Sequence, residues 1–261
     1  MRVVILAAGQ GTRLRPHTDN IPKCMVELAG KPILHHQLDV LRSAGLNEIV
    51  VVGGYCADRL DAEGVEIALN PMFDSTNMVS TLFCAEDWMQ EGEDLLIAYG
   101  DIIYESKVLQ SLLESKASIA ISVDRQWQSL WEARMDDPLN DAETLKVQDG
   151  NRVTEIGKKP QSLEDIQGQY LGLIKVRGDN VRQFRNAWHS LDRQAEYDGN
   201  DFYNMYMTSF IQYFIDSDIL VEAAFIDGGW IEVDTAEDLN FYNELHLTNR
   251  LDKFVSLHIE K

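Results

Sequence analysis

The sequence predicts an α/β fold with a mainly parallel, mixed sheet flanked by helices. This prediction rests on three observations. In the first half of the chain, short apolar runs alternate with segments of helical periodicity. The first of these runs leads directly into a glycine-containing loop. After Asp124 the pattern changes, which predicts an inserted β-hairpin and helical lid. The arrangement is Rossmann-like, and such sheets bind ligands at the carboxyl ends of their strands.

The elements of the first half follow from this alternation. Its apolar runs predict strands at residues 3–7, 48–52, 65–69, 94–99 and 118–123. Apolar residues at helical spacing predict helices at residues 32–44, 77–88 and 107–115.

The second half contains a hairpin pattern and then mixed elements. Residues 145–147 and 152–156 flank Asp149-Gly150-Asn151 and predict the hairpin. Further strands are predicted at residues 170–176, 223–226 and 231–233, and helices at residues 180–192, 201–215 and 235–251. Because no linker composition separates the halves, we expect a single domain over residues 1–261.

The composition limits the class of protein. A chain of 261 residues with 45% hydrophobic content can bury a sizeable core. Its net charge of −20 repels nucleic acid, and its apolar runs are shorter than the roughly 20 residues of a membrane helix. The N-terminus has no signal-peptide pattern, and the 3 cysteines form neither an even set nor a metal-ligand spacing. We therefore expect a cytoplasmic protein without nucleic-acid or membrane partners.

The loop after the first strand is the first candidate site. Its small residues Ala8, Gly9 and Gly11 leave backbone N–H groups open to a phosphate chain, and Arg13 and Lys23 add positive charge. The spacing is not that of a Walker loop, and Leu14 replaces the third glycine of a dinucleotide-binding loop. The glycine pair alone also fits an ordinary strand-to-helix turn.

Carboxylates at strand ends form the second candidate site. Asp101 follows a buried strand, and Glu232 and Asp234 are two residues apart, which puts them on one face of a strand. Mg²⁺ prefers one or two carboxylates together with substrate phosphates, so Asp101 and Asp234 could meet at one metal. Each aspartate by itself also fits a turn or helix-cap position.

The chain resembles the sugar-nucleotidyltransferase superfamily along its whole length. Within it, the chain looks most like the cytidylyltransferases that activate phosphocholine and 2-aminoethylphosphonate. The motifs that carry the resemblance are the opening loop with Pro22-Lys23, the segment with Asn77 and Ser80, Gly100-Asp101, and Trp230-x-Glu232-x-Asp234. The resemblance implies the nucleotide-diphospho-sugar transferase fold and a Mg²⁺-dependent transfer of CMP from CTP to a small amine-bearing phosphate or phosphonate, with release of pyrophosphate.

The resemblance also implies roles for individual residues. Lys23 and Arg13 would neutralise the triphosphate, and Lys158 would contact the acceptor phosphate, although a solvated lysine in a turn is the plain alternative. Asp101 and Asp234 would hold the magnesium, with Glu232 as a further candidate. The residues expected at the nucleotide are Leu6, Ala7, Ala8, Gly9, Gly11, Thr12, Asn77, Ser80 and Gly100.

An acceptor pocket is expected in the second half. Trp127, Trp131 and Arg134 fall at helical spacing, which puts them on one face if their segment is a helix. Aromatic rings beside carboxylates can form a cage for an ammonium group. Equally, both tryptophans could pack the insertion against the core. The candidate acceptor residues are Asp124, Trp127, Trp131, Arg134, Glu143, Tyr170, Tyr203 and Trp230. The implied division is residues 1–123 for nucleotide binding, 124–226 for the acceptor-binding insertion, and 227–261 for the metal-binding strand and C-terminal helix.

Three alternatives stay open. The acceptor could be a sugar 1-phosphate used for a surface polysaccharide, or an amino-acid phosphate whose carboxylate would suit Arg134. The chain could also be a non-catalytic nucleotide-binding regulator, although it retains the lysine, the arginine and both aspartates of the motifs. A homodimer is a further possibility, because Phe254, Val255 and Leu257 could pack on a partner subunit or close the core.

Overall fold

The computed structural model describes residues 1–258 and is built around a sheet of nine strands. The strands in chain order are β1 (Arg2–Ala7), β2 (Glu27–Leu28), β3 (Lys31–Pro32), β4 (Ile49–Gly53), β5 (Glu66–Leu69), β6 (Leu95–Tyr99), β7 (Ile102–Tyr104), β8 (Ile119–Asp124), β9 (Leu145–Gln148), β10 (Arg152–Ile156), β11 (Gln169–Val176), β12 (Glu196–Tyr197), β13 (Asn200–Asp201), β14 (Val221–Ile226) and β15 (Trp230–Glu232). The helices are α1 (Ile33–Ser43), α2 (Met78–Phe83), α3 (Ser106–Glu114), α4 (Trp127–Arg134), α5 (Val181–Ser190), α6 (Met207–Asp216) and α7 (Ala236–Leu247).

The central sheet has the order β5-β4-β1-β6-β11-β8-β14-β10-β9. Strand β1 runs parallel to β4 and β6, β4 parallel to β5, and β14 parallel to β8. Strand β11 runs antiparallel to both of its neighbours, and the hairpin β9–β10 joins β14 antiparallel at the edge. The predicted α/β fold with a mixed sheet flanked by helices is confirmed. The sheet was expected to be mainly parallel, but its parallel and antiparallel pairings are equal in number, because β11 runs opposite to β6 and β8 and the hairpin adds two antiparallel pairings.

Helices cover both faces of the sheet, because each strand sends alternate side chains to opposite sides. In β1, Val3 and Ile5 pack in the core under α1, α3, α4 and α7, whereas Val4 and Leu6 pack in the core under α2, α5 and α6. Near the C-terminus, Val255 is fully buried in the first of these cores together with Phe254. These two side chains therefore close the protein's own core.

Some predicted elements have other bounds in the structure. The helix expected over residues 77–88 ends at Phe83, since Ala85 leaves helical geometry and a short 3₁₀ turn follows at Glu86–Trp88. The segment expected as an insertion contributes strands β9, β10, β11 and β14 to the central sheet, so it is continuous with the rest of the fold. No helix within residues 1–258 combines the length and apolar character needed to cross a membrane.

The core under α5 and α6 gives a stability prediction. The ring of Phe184 packs on Phe210 and Phe214 with centroid distances of 5.3 and 5.2 Å. We expect Phe184→Ala to lower the free energy of unfolding by about 3–5 kcal/mol, because the substitution leaves a cavity among these rings. Leu247→Ala is the control, since that side chain is 81% exposed and its loss should cost less than about 0.5 kcal/mol. Urea unfolding measures both, and equal losses would contradict the packing described.

Candidate active site

The first part of the site is formed where two parallel strands end side by side. Leu6 in β1 lies opposite Tyr99 in β6, so the loops that follow these strands are neighbours. The N–H of Gly100 donates to the carbonyl oxygen of Leu6 at 2.9 Å. A Cβ atom at Gly100 would lie 2.7 Å from that oxygen, so glycine is required for this close approach.

A cavity of about 160 Å³ opens beside these loops. Six of the residues expected at the nucleotide lie on its wall, namely Leu6, Ala7, Ala8, Gly9, Asn77 and Gly100. Sequence reasoning did not single out six other wall residues. Five of them are neighbours of motif residues, namely Cys24, Thr76, Met78, Thr81 and Tyr99, whereas Phe73 lies outside the motifs.

Three residues expected at the nucleotide lie off this wall. Gly11 has a left-handed backbone with φ 59°, and its carbonyl accepts a hydrogen bond from the Thr18 hydroxyl at 2.7 Å. Thr12 begins the 3₁₀ turn Thr12–Leu14. The Ser80 hydroxyl donates to the carbonyl of Tyr203 at 2.8 Å. In the structure, Gly11 and Ser80 therefore make contacts that shape the loops around the cavity.

Lys23 lies between two carboxylates at the edge of this cavity. Its Nζ atom is 2.7 Å from Oδ2 of Asp101 and 2.6 Å from Oδ1 of Asp234, and its side chain is 17% exposed. Burial opposes the charge of the ammonium, but the nearby carboxylates raise the pKa of Lys23 above its ordinary value. Lys23 is therefore a fixed positive charge within the site.

Asp101, Glu232 and Asp234 form a carboxylate cluster, with one oxygen from each lying within 4.8 Å of the others. The pairing of β15 with β7 and a 3.0 Å hydrogen bond from the N–H of Val233 to the carbonyl of Asp101 bring these distant segments together. Oδ1 of Asp101 is buried and has no hydrogen-bond partner within residues 1–258. Carboxylate oxygens are the ligands that hard divalent cations prefer, so the chemistry of the cluster fits a divalent metal ion.

The charges within the cluster are unequal. Burial and the neighbouring carboxylates of Asp234 and Asp101 raise the pKa of Glu232 to about 8. Burial acts in the same direction on Asp234, but the positive charges of Lys23 and Arg13 lower its pKa below the ordinary value. Arg13 contributes through Nη2, which is 2.7 Å from Oδ2 of Asp234. The positive side chains of Lys23 and Arg13 thus stabilise the negative charge of the cluster.

A second cavity of about 250 Å³ adjoins the first, and the two share Met78 and Tyr99. Four residues expected at the acceptor lie on its wall, namely Trp131, Glu143, Tyr170 and Trp230. The charged side chains on this wall are all acidic, namely Asp141, Glu143, Glu232 and Asp234. Its character is therefore aromatic and anionic.

Four further candidates have other surroundings. The carboxylate of Asp124 is buried and accepts hydrogen bonds from the indole N–H of Trp230 and from the backbone of Gln126 and Gly228 at 2.8–2.9 Å. Trp127 is buried against Trp131. Tyr203 is exposed, and the Lys158 side chain is half exposed with Nζ 3.5 Å from Glu155. The structure does not bring these four side chains to the wall of either cavity.

Arg134 faces the carboxylate cluster rather than the second cavity. Its side chain is 2% exposed and pairs with Asp238 and Glu232. Helical spacing correctly put Arg134 near Trp131, whose ring lies under the guanidinium at 5.5 Å. No short sequence motif indicated that its buried partner would be Asp238, in the first turn of α7.

The profile of the MobA-like NTP transferase domain matches residues 3–159. The chain belongs to this NTP transferase family. It is 44% identical over 248 residues to CTP:phosphoglutamine cytidylyltransferase from Campylobacter jejuni, covering 92% of this chain and 98% of the relative. The predicted membership among the nucleotidyltransferases is confirmed, and the chain is an enzyme of that class.

Two solved structures share the fold of this NTP transferase. The inositol-1-phosphate CTP transferase from T. maritima superposes with a TM-score of 0.72 at 20% identity, covering 98% of this chain and 97% of that one. The CTP:phosphocholine cytidylyltransferase from Streptococcus pneumoniae superposes with a TM-score of 0.67 at 19% identity, covering 94% and 98%. These matches extend the fold assignment beyond residue 159 to nearly the whole chain.

Because the Lys23 ammonium contacts carboxylate oxygens of Asp101 and Asp234, we expect it to compete with a metal ion for these oxygens. We expect Lys23→Met to lower the free energy of unfolding in metal-free buffer by on the order of 3 kcal/mol, because Asp101 and Asp234 lose their counter-charge. Mg²⁺ should stabilise this variant more than it stabilises the unmodified NTP transferase.

Lys107→Met is the control, since that lysine is 61% exposed where it pairs with Glu105 at 2.8 Å, and it should contribute less than about 1 kcal/mol. Denaturant unfolding with and without Mg²⁺ measures both variants. If Mg²⁺ stabilises Lys23→Met and the unmodified protein equally, the ammonium and the metal do not compete for these carboxylates.

Proposed function

We propose that this NTP transferase moves the CMP group of CTP to a small, amine-bearing phosphorylated acceptor and releases pyrophosphate, with Mg²⁺ at the carboxylate cluster. One observation carries the proposal. Asp101 lies on the wall of the first cavity, while Glu232 and Asp234 lie on the wall of the second. A donor in the first cavity and an acceptor in the second would therefore meet at the cluster.

The chain's own residues then have separate tasks in an in-line displacement. An anionic oxygen of the acceptor phosphate forms a bond to the α-phosphorus of CTP, and the bond from that phosphorus to the bridging oxygen of pyrophosphate breaks. Because the attacking oxygen is already ionised, the step needs no general base, and catalysis rests on positioning and charge neutralisation. Bound Mg²⁺ would supply Lewis-acid neutralisation of phosphate charge at Asp101 and Asp234.

The Lys23 ammonium is proposed to turn from the two carboxylates to the triphosphate. Its Nζ atom lies between Asp101 and Asp234, the same carboxylates proposed to hold the metal. With those oxygens occupied, the ammonium can turn to the phosphate oxygens at the edge of the first cavity. Arg13, whose side chain is 62% exposed beside Asp234, is available to the leaving pyrophosphate.

The proposed donor is CTP. The 44% identical relative from Campylobacter jejuni is named for CTP, and it matches nearly the whole of both chains. In the first cavity, the side-chain amide of Asn77 offers a polar group beside the apolar side chains of Phe73 and Met78. That combination suits a pyrimidine ring, whose faces are apolar and whose edge forms hydrogen bonds.

Glu143 is the proposed partner of the acceptor's amine. Its carboxylate lies in the second cavity and accepts no side-chain hydrogen bond from residues 1–258, while its backbone is held by Gln169. Burial and the charges of Asp141 and Asp198 raise the pKa of Glu143 to about 7. An ammonium group would supply the missing counter-charge and would also be attracted by the faces of Tyr170 and Trp131.

Phosphoglutamine is the first acceptor candidate, because the relative from Campylobacter jejuni is named for it. Phosphocholine and 2-aminoethylphosphonate form the second candidate class. That class is favoured by the charges of the second cavity, whose described wall holds four carboxylates and no lysine, arginine or histidine for the carboxylate of an amino acid.

Pyrophosphate release with CTP and Mg²⁺ tests the proposal. The acceptors to compare are phosphoglutamine, phosphocholine, 2-aminoethylphosphonate and glucose 1-phosphate, and we expect turnover with at least one of the amines. Asp101→Asn should lower that turnover at least about 100-fold, because the metal site loses a charged ligand. Turnover with glucose 1-phosphate alone would refute the amine-bearing acceptor, and an unchanged rate in Asp101→Asn would refute the metal site.

The role of Glu143 gives a pH prediction. Glu143 is neutral below its pKa of about 7 and anionic above it, so kcat/KM for the amine acceptor should rise between about pH 6 and pH 8. Glu143→Gln should raise the acceptor KM about 10- to 100-fold, with little change in the KM for CTP, and should remove that part of the pH dependence.

Glu164→Gln removes the same charge from an exposed position and serves as the matched control. Both variants are compared with the unmodified enzyme over the same pH range, so that titration of the acceptor's own phosphate is common to all profiles. An acceptor KM and pH profile that stay unchanged in Glu143→Gln would contradict the assigned contact.

A further inference from the structure

Arg134 occupies a buried position behind the carboxylate cluster, at the end of α4. Its Nε and Nη2 atoms donate to the two oxygens of Asp238 at 2.9 and 3.1 Å, which is a bidentate pair. Its Nη1 atom lies 3.4 Å from Oε2 of Glu232. The guanidinium therefore contacts a member of the carboxylate cluster and a residue outside it at the same time.

Asp238 connects this arginine to the backbone of Asp234. Its Oδ2 atom accepts hydrogen bonds from the N–H groups of Asp234 and Thr235 at 3.1 and 2.9 Å. The Thr235 hydroxyl accepts in return from the N–H of Asp238 at 3.0 Å, which completes a capping box at the start of α7. The Asp238 carboxylate thus fixes the backbone from which the Asp234 side chain projects.

Through these contacts, the Arg134 guanidinium holds two of the three carboxylates of the cluster in place. Glu232 is held directly, and Asp234 is held through Asp238. The same positive charge also offsets repulsion among Asp101, Glu232 and Asp234, whose oxygens lie within 4.8 Å. We propose that Arg134, acting with Asp238, is a positioning residue that sets the carboxylate cluster in the geometry that binds a divalent cation.

This inference rests on the metal site of the proposed function, and it differs from a purely structural role. A buried ion pair that only ties α4 to α7 would affect stability and leave metal affinity unchanged. Lysine at position 134 keeps the charge but loses the planar fork that holds Asp238 and Glu232 together. Arg134→Lys therefore distinguishes the effect of positioning the carboxylates from the effect of the positive charge.

Binding of Mn²⁺, followed by electron paramagnetic resonance with and without CTP, tests the inference independently of turnover. We expect Arg134→Lys to raise the Mn²⁺ dissociation constant about 10- to 100-fold, as is typical when a group that orients metal ligands is changed. Turnover should recover in part as Mg²⁺ is raised, while the acceptor KM at saturating Mg²⁺ stays near that of the unmodified enzyme.

Arg125→Lys is the matched control, because Arg125 forms an exposed bidentate pair with Asp227 at 3.1 and 2.9 Å away from the carboxylate cluster. Its Mn²⁺ dissociation constant should not change. Asp238→Asn is the second test variant, since its amide oxygen can still cap α7 while its pairing with Arg134 is weakened, and it should also bind Mn²⁺ less tightly. Circular dichroism identifies which variants are folded.

The outcomes separate this inference from the proposed function. Normal Mn²⁺ affinity in a folded Arg134→Lys or Asp238→Asn variant would overturn the positioning role while leaving the metal site intact. Failure of the unmodified protein to bind Mn²⁺ in the presence of CTP would overturn both. Should Arg134→Lys not fold, Asp238→Asn alone decides between the positioning role and a structural one.

Discussion

The ammonium of Lys23 joins three parts of the chain that are far apart in sequence. It follows the loop after β1, and it contacts Asp101 after β6 and Asp234 after β15. At an effective dielectric constant near 20, two unit charges 4 Å apart interact by about 4 kcal/mol, so the approach of these carboxylates is costly unless such a cation offsets their repulsion. The loops that shape both cavities depend on this charge balance, which Arg13 and Arg134 complete.

The same balance would let a chain with a net charge of −20 bind the polyanionic nucleotide of the proposed function. Most of the acidic side chains lie elsewhere on the protein, while Lys23, Arg13 and Arg134 all contact members of the carboxylate cluster. On the acceptor side the local charge is reversed, since the second cavity is lined by carboxylates and aromatic rings. The proposed ligands match this difference, because the triphosphate would lie beside the basic groups and the amine of the phosphorylated acceptor would lie beside the carboxylates.

Much of this arrangement could be predicted from local sequence. The loop from Ala8 to Lys23 and Asp101 follow the parallel neighbours β1 and β6, where such sheets bring side chains together. Asp234 follows β15, which pairs antiparallel with β7, and the structure brings Lys23 into contact with both aspartates. Other features depend on contacts between distant segments. The direction of β11, the burial of Asp124 against Trp230, and the pairing of Arg134 with Asp238 have no signal in hydrophobic periodicity or short motifs.

In the proposed reaction, the Lys23 ammonium moves from the carboxylate cluster to the triphosphate when donor and metal bind. A crystal structure with Mg²⁺ and a non-hydrolysable CTP analogue tests this movement. We expect a metal ion held by Asp101 and Asp234, with the Lys23 ammonium on a phosphate oxygen. A nucleotide in the first cavity with Lys23 still between the two carboxylates, and no metal at the carboxylate cluster, would contradict it.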